Sequence, residues 1–204
     1  MRGKPDDAAD AMRRVLKMDG ASEMDRKLAG GMFYAASQYD EALPLLEEEA
    51  KNDNDNEQLQ LQLGTAQLET GRIDAGGKTL TALLAKTSEP QILNNGAYEL
   101  AKTGTALEQA EKASRQAVED LTAESMSWVV SASTKGQESK QELLVSSWDT
   151  LGWILFREGK LDEAESYVRA RGTTNRRGRE GFIWERSRRS VGIKKPRWIC
   201  MRCL

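Results

Sequence analysis

A small residue recurs every 34 positions along most of this 204-residue chain. Ala8, Ala42, Gly76 and Ala110 stand at that interval, and Ala164 follows after one further period plus 20 residues. Three residues before each of the last four stands an apolar side chain: Tyr39, Ile73, Leu107 and Leu161. Four residues after the five small positions come Met12, Leu46, Leu80, Ser114 and Val168, apolar in all but one case. Residues four apart share a helix face, so a small residue followed by a large one marks a helix pressed on a neighbour. A unit that repeats this way cannot bury its apolar face alone, and several must stack.

The segments ahead of these helices repeat as well. "LQLGTAQLETGR" and "DTLGWILFREGK" both carry Leu-Gly, an apolar stretch and a closing Gly: Leu63, Gly64 and Gly71, then Leu151, Gly152 and Gly159. In "RKLAGGMFYAASQ" the matching pair is Ala29 and Gly30, with Phe33 a turn below. Gly64 and Gly152 let two backbones approach, since glycine has no Cβ. Gly71 and Gly159 suit the left-handed position that ends a helix.

Trp148, Leu151, Gly152, Leu155, Gly159, Leu161, Ala164 and Val168 together resemble the signature of tetratricopeptide (TPR) repeats. Residues 23–56 and 57–90 resemble it more loosely. The unit at 91–124 departs from it, with Tyr98 where glycine is expected and Ser114 where a large apolar residue is. The resemblance implies an all-α fold: a right-handed α-solenoid of antiparallel helix pairs wound into a superhelix. The expected organisation is a partial repeat at 1–22 (second helix only) and a repeat array over 23–170. Its units lie near 23–56, 57–90, 91–124 and 145–170, with an insertion near 125–144, and a basic irregular tail occupies 171–204. The insertion either lengthens the flanking helices, with a break near Lys135 and Gly136, or forms a surface loop.

Charge separates the tail from the body. Residues 1–170 carry 19 basic and 30 acidic residues, whereas 171–204 carry 11 basic and 2 acidic ones. One more period beyond Ala164 falls on Trp198, where a small residue belongs. The genetic code explains the break. Trp and Met have one codon each, so parts of the neighbouring reading frame are forced. Across Phe182 to Glu185 that frame encodes His or Tyr, then Leu or Met, then an obligatory Gly. Across Lys194 to Leu204 it admits Glu-Ala-Ala-Leu-Asp-Met-Tyr-Ala-Leu, with the Asp obligatory. That is the missing repeat, and the tail is expected to be a frame-shifted product without a function. A basic arm for nucleic acid or acidic lipid is the competing reading.

Few residues are equipped for catalysis. Histidine is absent and no cysteine precedes Cys200, which removes the usual general base, metal ligand and thiol nucleophile from the body. "GRIDAGGKT" approaches a phosphate-binding loop, but five residues rather than four separate Gly71 from Gly77, and no strand precedes it. Cys200 and Cys203 lack the second pair a zinc site needs. Glu47, Glu48 and Glu49 point about 100° apart on a helix and do not converge. Asp53 and Asp55 lack the Gly turn and closing Glu of a calcium loop. No cofactor and no metal are therefore expected. No run reaches the ~20 apolar residues of a membrane span, and no signal-peptide core opens the chain. The compartment is cytoplasmic by default only.

In TPR proteins the first helix of each pair lines a concave groove that receives a peptide or helix of a partner. Carried over by register, the resemblance places Lys27, Gly31, Tyr34, Gln58, Thr65, Asn95, Glu99, Lys102, Asp149, Trp153, Phe156 and Arg157 there. Gly31 and Thr65 stand where a clamp for a C-terminal carboxylate would need Asn, so that mode is not expected. The function implied is a non-catalytic scaffold that binds a protein or peptide, with no specific nucleic acid. The alternative is the C-terminal repeat region of a larger enzyme, suggested by the start at a half repeat.

Overall fold

In the computed structural model residues 5–127 and 135–174 are described, the side chains of 168–174 excepted. Insertion residues 128–134, the Val168 side chain, and the tail from 175 onward with Trp198, Cys200 and Cys203 lie outside the described residues. The described residues form helices without strands: α1 (Pro5–Leu16), α2 (Glu23–Ala35), α3 (Tyr39–Asn52), α4 (Glu57–Glu69), α5 (Ile73–Leu84), α6 (Pro90–Thr103), α7 (Leu107–Ser125), α8 (Lys135–Arg157) and α9 (Leu161–Thr174). Neighbours in sequence pack as neighbours in space, and the pairs α2–α3, α4–α5, α6–α7 and α8–α9 stack into an all-α solenoid.

The small residues sit where helices come closest. Ala42, Ala110 and Ala164 are fully buried, and Gly76 is buried. A Cβ at Gly76 would lie 2.6 Å from Leu68 Cγ and 2.8 Å from the carbonyl oxygen of Gly64. One at Gly64 would lie 2.6 Å from Leu80 Cγ. At the crossing of α4 and α5 a Cβ on Gly76 would meet backbone and one on Gly64 would displace the Leu80 side chain, while Leu68 and Leu80 close over the gap. Each fully buried leucine of this kind contributes about 1.5–3 kcal/mol of burial energy.

Each pair is joined by the same turn. The first helix ends at a residue with positive φ: Ser37 (58°), Gly71 (81°), Gly104 (77°) and Gly159 (81°). The next amide donates back five residues, from Gln38 to Phe33, Arg72 to Gln67, Thr105 to Leu100 and Lys160 to Leu155. This closes the orphan carbonyls of the helix end. Only Ser37 bears a side chain there, and the left-handed backbone costs an L residue about 1–2 kcal/mol.

The structure corrects the expected register in three places. Ala9, rather than Ala8, is the fully buried small residue of α1, which packs mainly on α2 and pairs Arg13 with Glu41 of α3. In α6 Ala97 is fully buried, and its neighbour Tyr98 is half-buried. Both α6 and its closing Gly104 come 33 residues after their counterparts, because α5 has 12 residues where α3 has 14 and a longer connection restores only part of the difference. Finally, α9 runs through Thr174, so residues 171–174 are helical and any irregular tail starts later. Helix growth adds a hydrogen bond per residue, and no proline interrupts it there. The extra residues between units lengthen α7 to 19 residues and α8 to 23.

Gly76→Ala is expected to cost about 1–3 kcal/mol in denaturant unfolding, since the added methyl meets backbone. Gly31→Ala, whose Cβ meets nothing within 4 Å, should be neutral or stabilising by up to about 1 kcal/mol. Ser37→Gly should raise stability by about 1 kcal/mol by relieving the left-handed serine. A loss of stability in that variant would contradict the turn described here.

Candidate functional site

The first helices of the pairs lie closer together than the second ones. α4 packs on α6 and α6 on α8, whereas α5 and α7 approach less closely, and α7 and α9 are tied through long side chains such as Arg115 to Glu163. A stack whose one row is tighter than the other curves toward the tight row. The row α4–α6–α8, continued by α2, is thus the inner side.

Residues at helical spacing form a stripe on each inner helix. On α2 it comprises Met24, Leu28, Gly31 and Ala35; on α4, Gln58, Gln62, Thr65 and Glu69. On α6 it comprises Gln91, Asn95, Tyr98 and Lys102; on α8, Trp153 and Arg157. Met24 is 72% exposed and Leu28 50% exposed. Sequence reasoning did not select these two. A signal existed: Ala29, Gly30 and Phe33 already supply the core face of α2, so a second apolar row had no core to enter.

At the C-terminal ends of the inner helices a charged corner forms. Lys102 bridges from α6 to Glu69 of α4 and lies 3.7 Å from Glu99. Glu99 is largely sheltered, and one of its carboxylate oxygens is buried without a hydrogen bond. Burial holds the Glu99 carboxyl above its ordinary range; Lys102 opposes this and Glu69 adds to it. Tyr34 crosses from α2 to lie beside the Thr65 hydroxyl, its own hydroxyl pushed up by burial. Its ring also meets Tyr39 edge-on at 5.7 Å. Arg157 reaches from α8 to donate to the carbonyl of Ala101 (2.9 Å) and stacks over Trp153 at 5.7 Å. It thereby closes the C-terminal end of α6.

The remaining residues expected in the groove are spread out. Gln58 is exposed on the inner stripe, whereas Thr65 is buried beneath it. Asn95 accepts from Gln91 Nε2 (3.1 Å) and from Asn94 Nδ2 (3.2 Å), a short amide ladder along α6. Asp149 is half-buried one turn before Trp153. Trp153 stacks on Phe156 at 5.9 Å, and Phe156 packs into the cluster of Leu151, Leu155 and Ala164 between α8 and α9. Lys27 lies toward α3, 3.7 Å from Glu23 and beside Leu45 and Glu48. Tyr34, Thr65, Glu99, Lys102 and Arg157 are thus brought together, while Lys27 and Phe156 point elsewhere.

Among the described residues no group of three or more carboxylate, histidine or cysteine side chains could hold a metal ion. No described helix is long and apolar enough to cross a membrane.

A carboxyl whose folded pKa lies above its unfolded value favours folding while protonated and loses that contribution as pH rises through the folded pKa. Glu99 is such a group. Glu99→Gln should therefore unfold at higher denaturant than the parent at neutral pH. The advantage should shrink on acidification toward the unfolded glutamate pKa of about 4.3. An advantage that is constant with pH would deny Glu99 its buried, charged state.

The family model described as "Tetratricopeptide repeat" matches residues 33–94, from the end of α2 into α6. No curated protein matches the chain. Among solved structures the chain resembles MamA, residues 41 to the end, from Desulfovibrio magneticus RS-1. The TM-score is 0.59 at 13% identity, over 86% of this chain and 88% of that one. At that identity the likeness concerns the fold, and it agrees with the turns, crossings and stacked pairs above: the described helices form an all-α solenoid like that of tetratricopeptide-repeat proteins, and residues 33–94 match the repeat itself.

Proposed function

We propose that the inner face of α2, α4, α6 and α8 binds a segment of a protein partner, and that the chain acts as a non-catalytic assembly scaffold. The observation that carries this reading is the exposure of Met24 and Leu28 on the same face as the amides of Gln58, Gln62, Gln91 and Asn95. Large apolar side chains left in water beside hydrogen-bonding groups are what a partner covers with gain. The amides can pair with a partner's main chain, and the corner of Tyr34, Glu69, Glu99 and Lys102 supplies charge to orient it. Tyr and Arg are frequent anchors of such contacts. Arg157 works here by holding α6, so its part in binding is to set the shape of the face.

A protein partner fits this face better than nucleic acid. Among the described residues its cations are engaged already, Lys102 by Glu69 and Arg157 by carbonyls of α6. No basic stripe is left to track a phosphate backbone.

A photo-crosslinking amino acid at Gln62 or Gln91 should capture the partner, and the same residue at Glu48 should not. Capture from Glu48 alone would move the interface off the inner face and overturn the proposal. Leu28→Asp should weaken binding of the captured partner by about 1–2 kcal/mol, roughly tenfold. Its unfolding midpoint should stay near that of the parent, because the side chain it replaces is half in water.

A further inference from the structure

We infer that the array contains a hinge at the junction of α3 and α4, across which the unit α1–α3 rolls against the unit α4–α9. Three independent features meet there. The first is a sparse inner contact. α4 packs on α6 and α6 on α8, but α2 and α4 barely approach. The lip of α2 facing that gap carries Gly31 and Ala35, and the space where Gly31 would bear a side chain is empty. The span is bridged by the long side chain of Tyr34, which lies beside Thr65.

The second feature is a division in the core. One apolar cluster joins α1, α2 and α3 to Leu59, Leu63 and Ala66 on one side of α4. Another joins Leu61 and Leu68, on the opposite side of α4, to α5, α6, α7 and α8. No residue of α1, α2 or α3 enters the second cluster. The third feature is the connection itself, Asp53 to Asn56, which is exposed throughout.

A unit wedged by two helices of its neighbour resists rotation. One held mainly by a single helix pair can shear by small slides of packed side chains. The α3–α4 contact is of the second kind. Motion there would change the distance between α2 and α4, and with it the width of the inner face, whatever that face binds. Tyr34 acts as the strut that limits the opening.

Equivalent positions on three inner helices allow a direct test. With Cys200→Ser and Cys203→Ser to remove native thiols, spin labels would be placed at Met24→Cys with Gln58→Cys, and separately at Gln58→Cys with Gln91→Cys. Pulsed electron resonance then reads the two distance distributions. The α2–α4 pair is expected to be roughly twice as wide as the α4–α6 pair. Adding Tyr34→Ala should widen or lengthen the first distribution and leave the second unchanged. Equal widths in the two pairs would overturn the hinge. So would widening of both together in Tyr34→Ala, which reports general loosening. An unaltered first pair in that variant would remove Tyr34 from its role.

Discussion

Two helices can lie as near each other as α4 and α5 only if side chains are absent at the crossing. Gly64 and Gly76 face one another there, and either Cβ would meet an atom under 3 Å away. The close approach lets Leu68 and Leu80 seal the pair from the opposite sides. It also leaves each pair thin enough to stack against the next. Turns at Gly71, Gly104 and Gly159 then reverse the chain with the same hydrogen bonds, so that the crossing is reproduced unit after unit. The solenoid is what remains when one tight contact is repeated.

Because that contact repeats, it was visible in the sequence as a period. The positions of Ala42, Gly76, Ala110 and Ala164 followed from spacing, as did the left-handed turns at Gly71 and Gly159. What spacing could not supply was a change in element length. α5 is shorter than α3, and a strict 34-residue step lands on Tyr98 where the chain places Ala97. The third unit looked degenerate for that reason, although its packing is conventional. The fully buried Ser114 sits among Ala110, Ala113 and Ala117, a face of small residues in α7 that needs no large one.

The inner face was less legible, for a geometric reason. One residue along a helix turns the side chain by about 100°. A register error of one therefore exchanges a solvent-facing residue for one facing a neighbour. That is the difference between Lys27, which lies against α3, and Leu28, which stands in water. Tyr34, Thr65, Glu99 and Lys102 come together because long side chains from α2 and α6 reach across to α4 there. Apolar residues such as Met24 escaped notice because a repeat's hydrophobic residues are assigned to its core until burial says otherwise.

In a stack whose units touch only their neighbours, stability is a sum over interfaces, and the weakest interface decides where the stack yields first. The ion pairs do not level this out. Arg115 with Glu163 ties α7 to α9, and Lys160 with Glu111 ties α7 to the turn before α9. Exposed pairs of this type contribute only up to about 1 kcal/mol each. The interfaces differ mainly in apolar contact, and there the α3–α4 junction stands apart, since α2 adds little to it. The same feature that leaves Leu28 and Gly31 uncovered also removes a brace from the array. An open, apolar lip and a yielding seam are thus two consequences of one sparse helix contact.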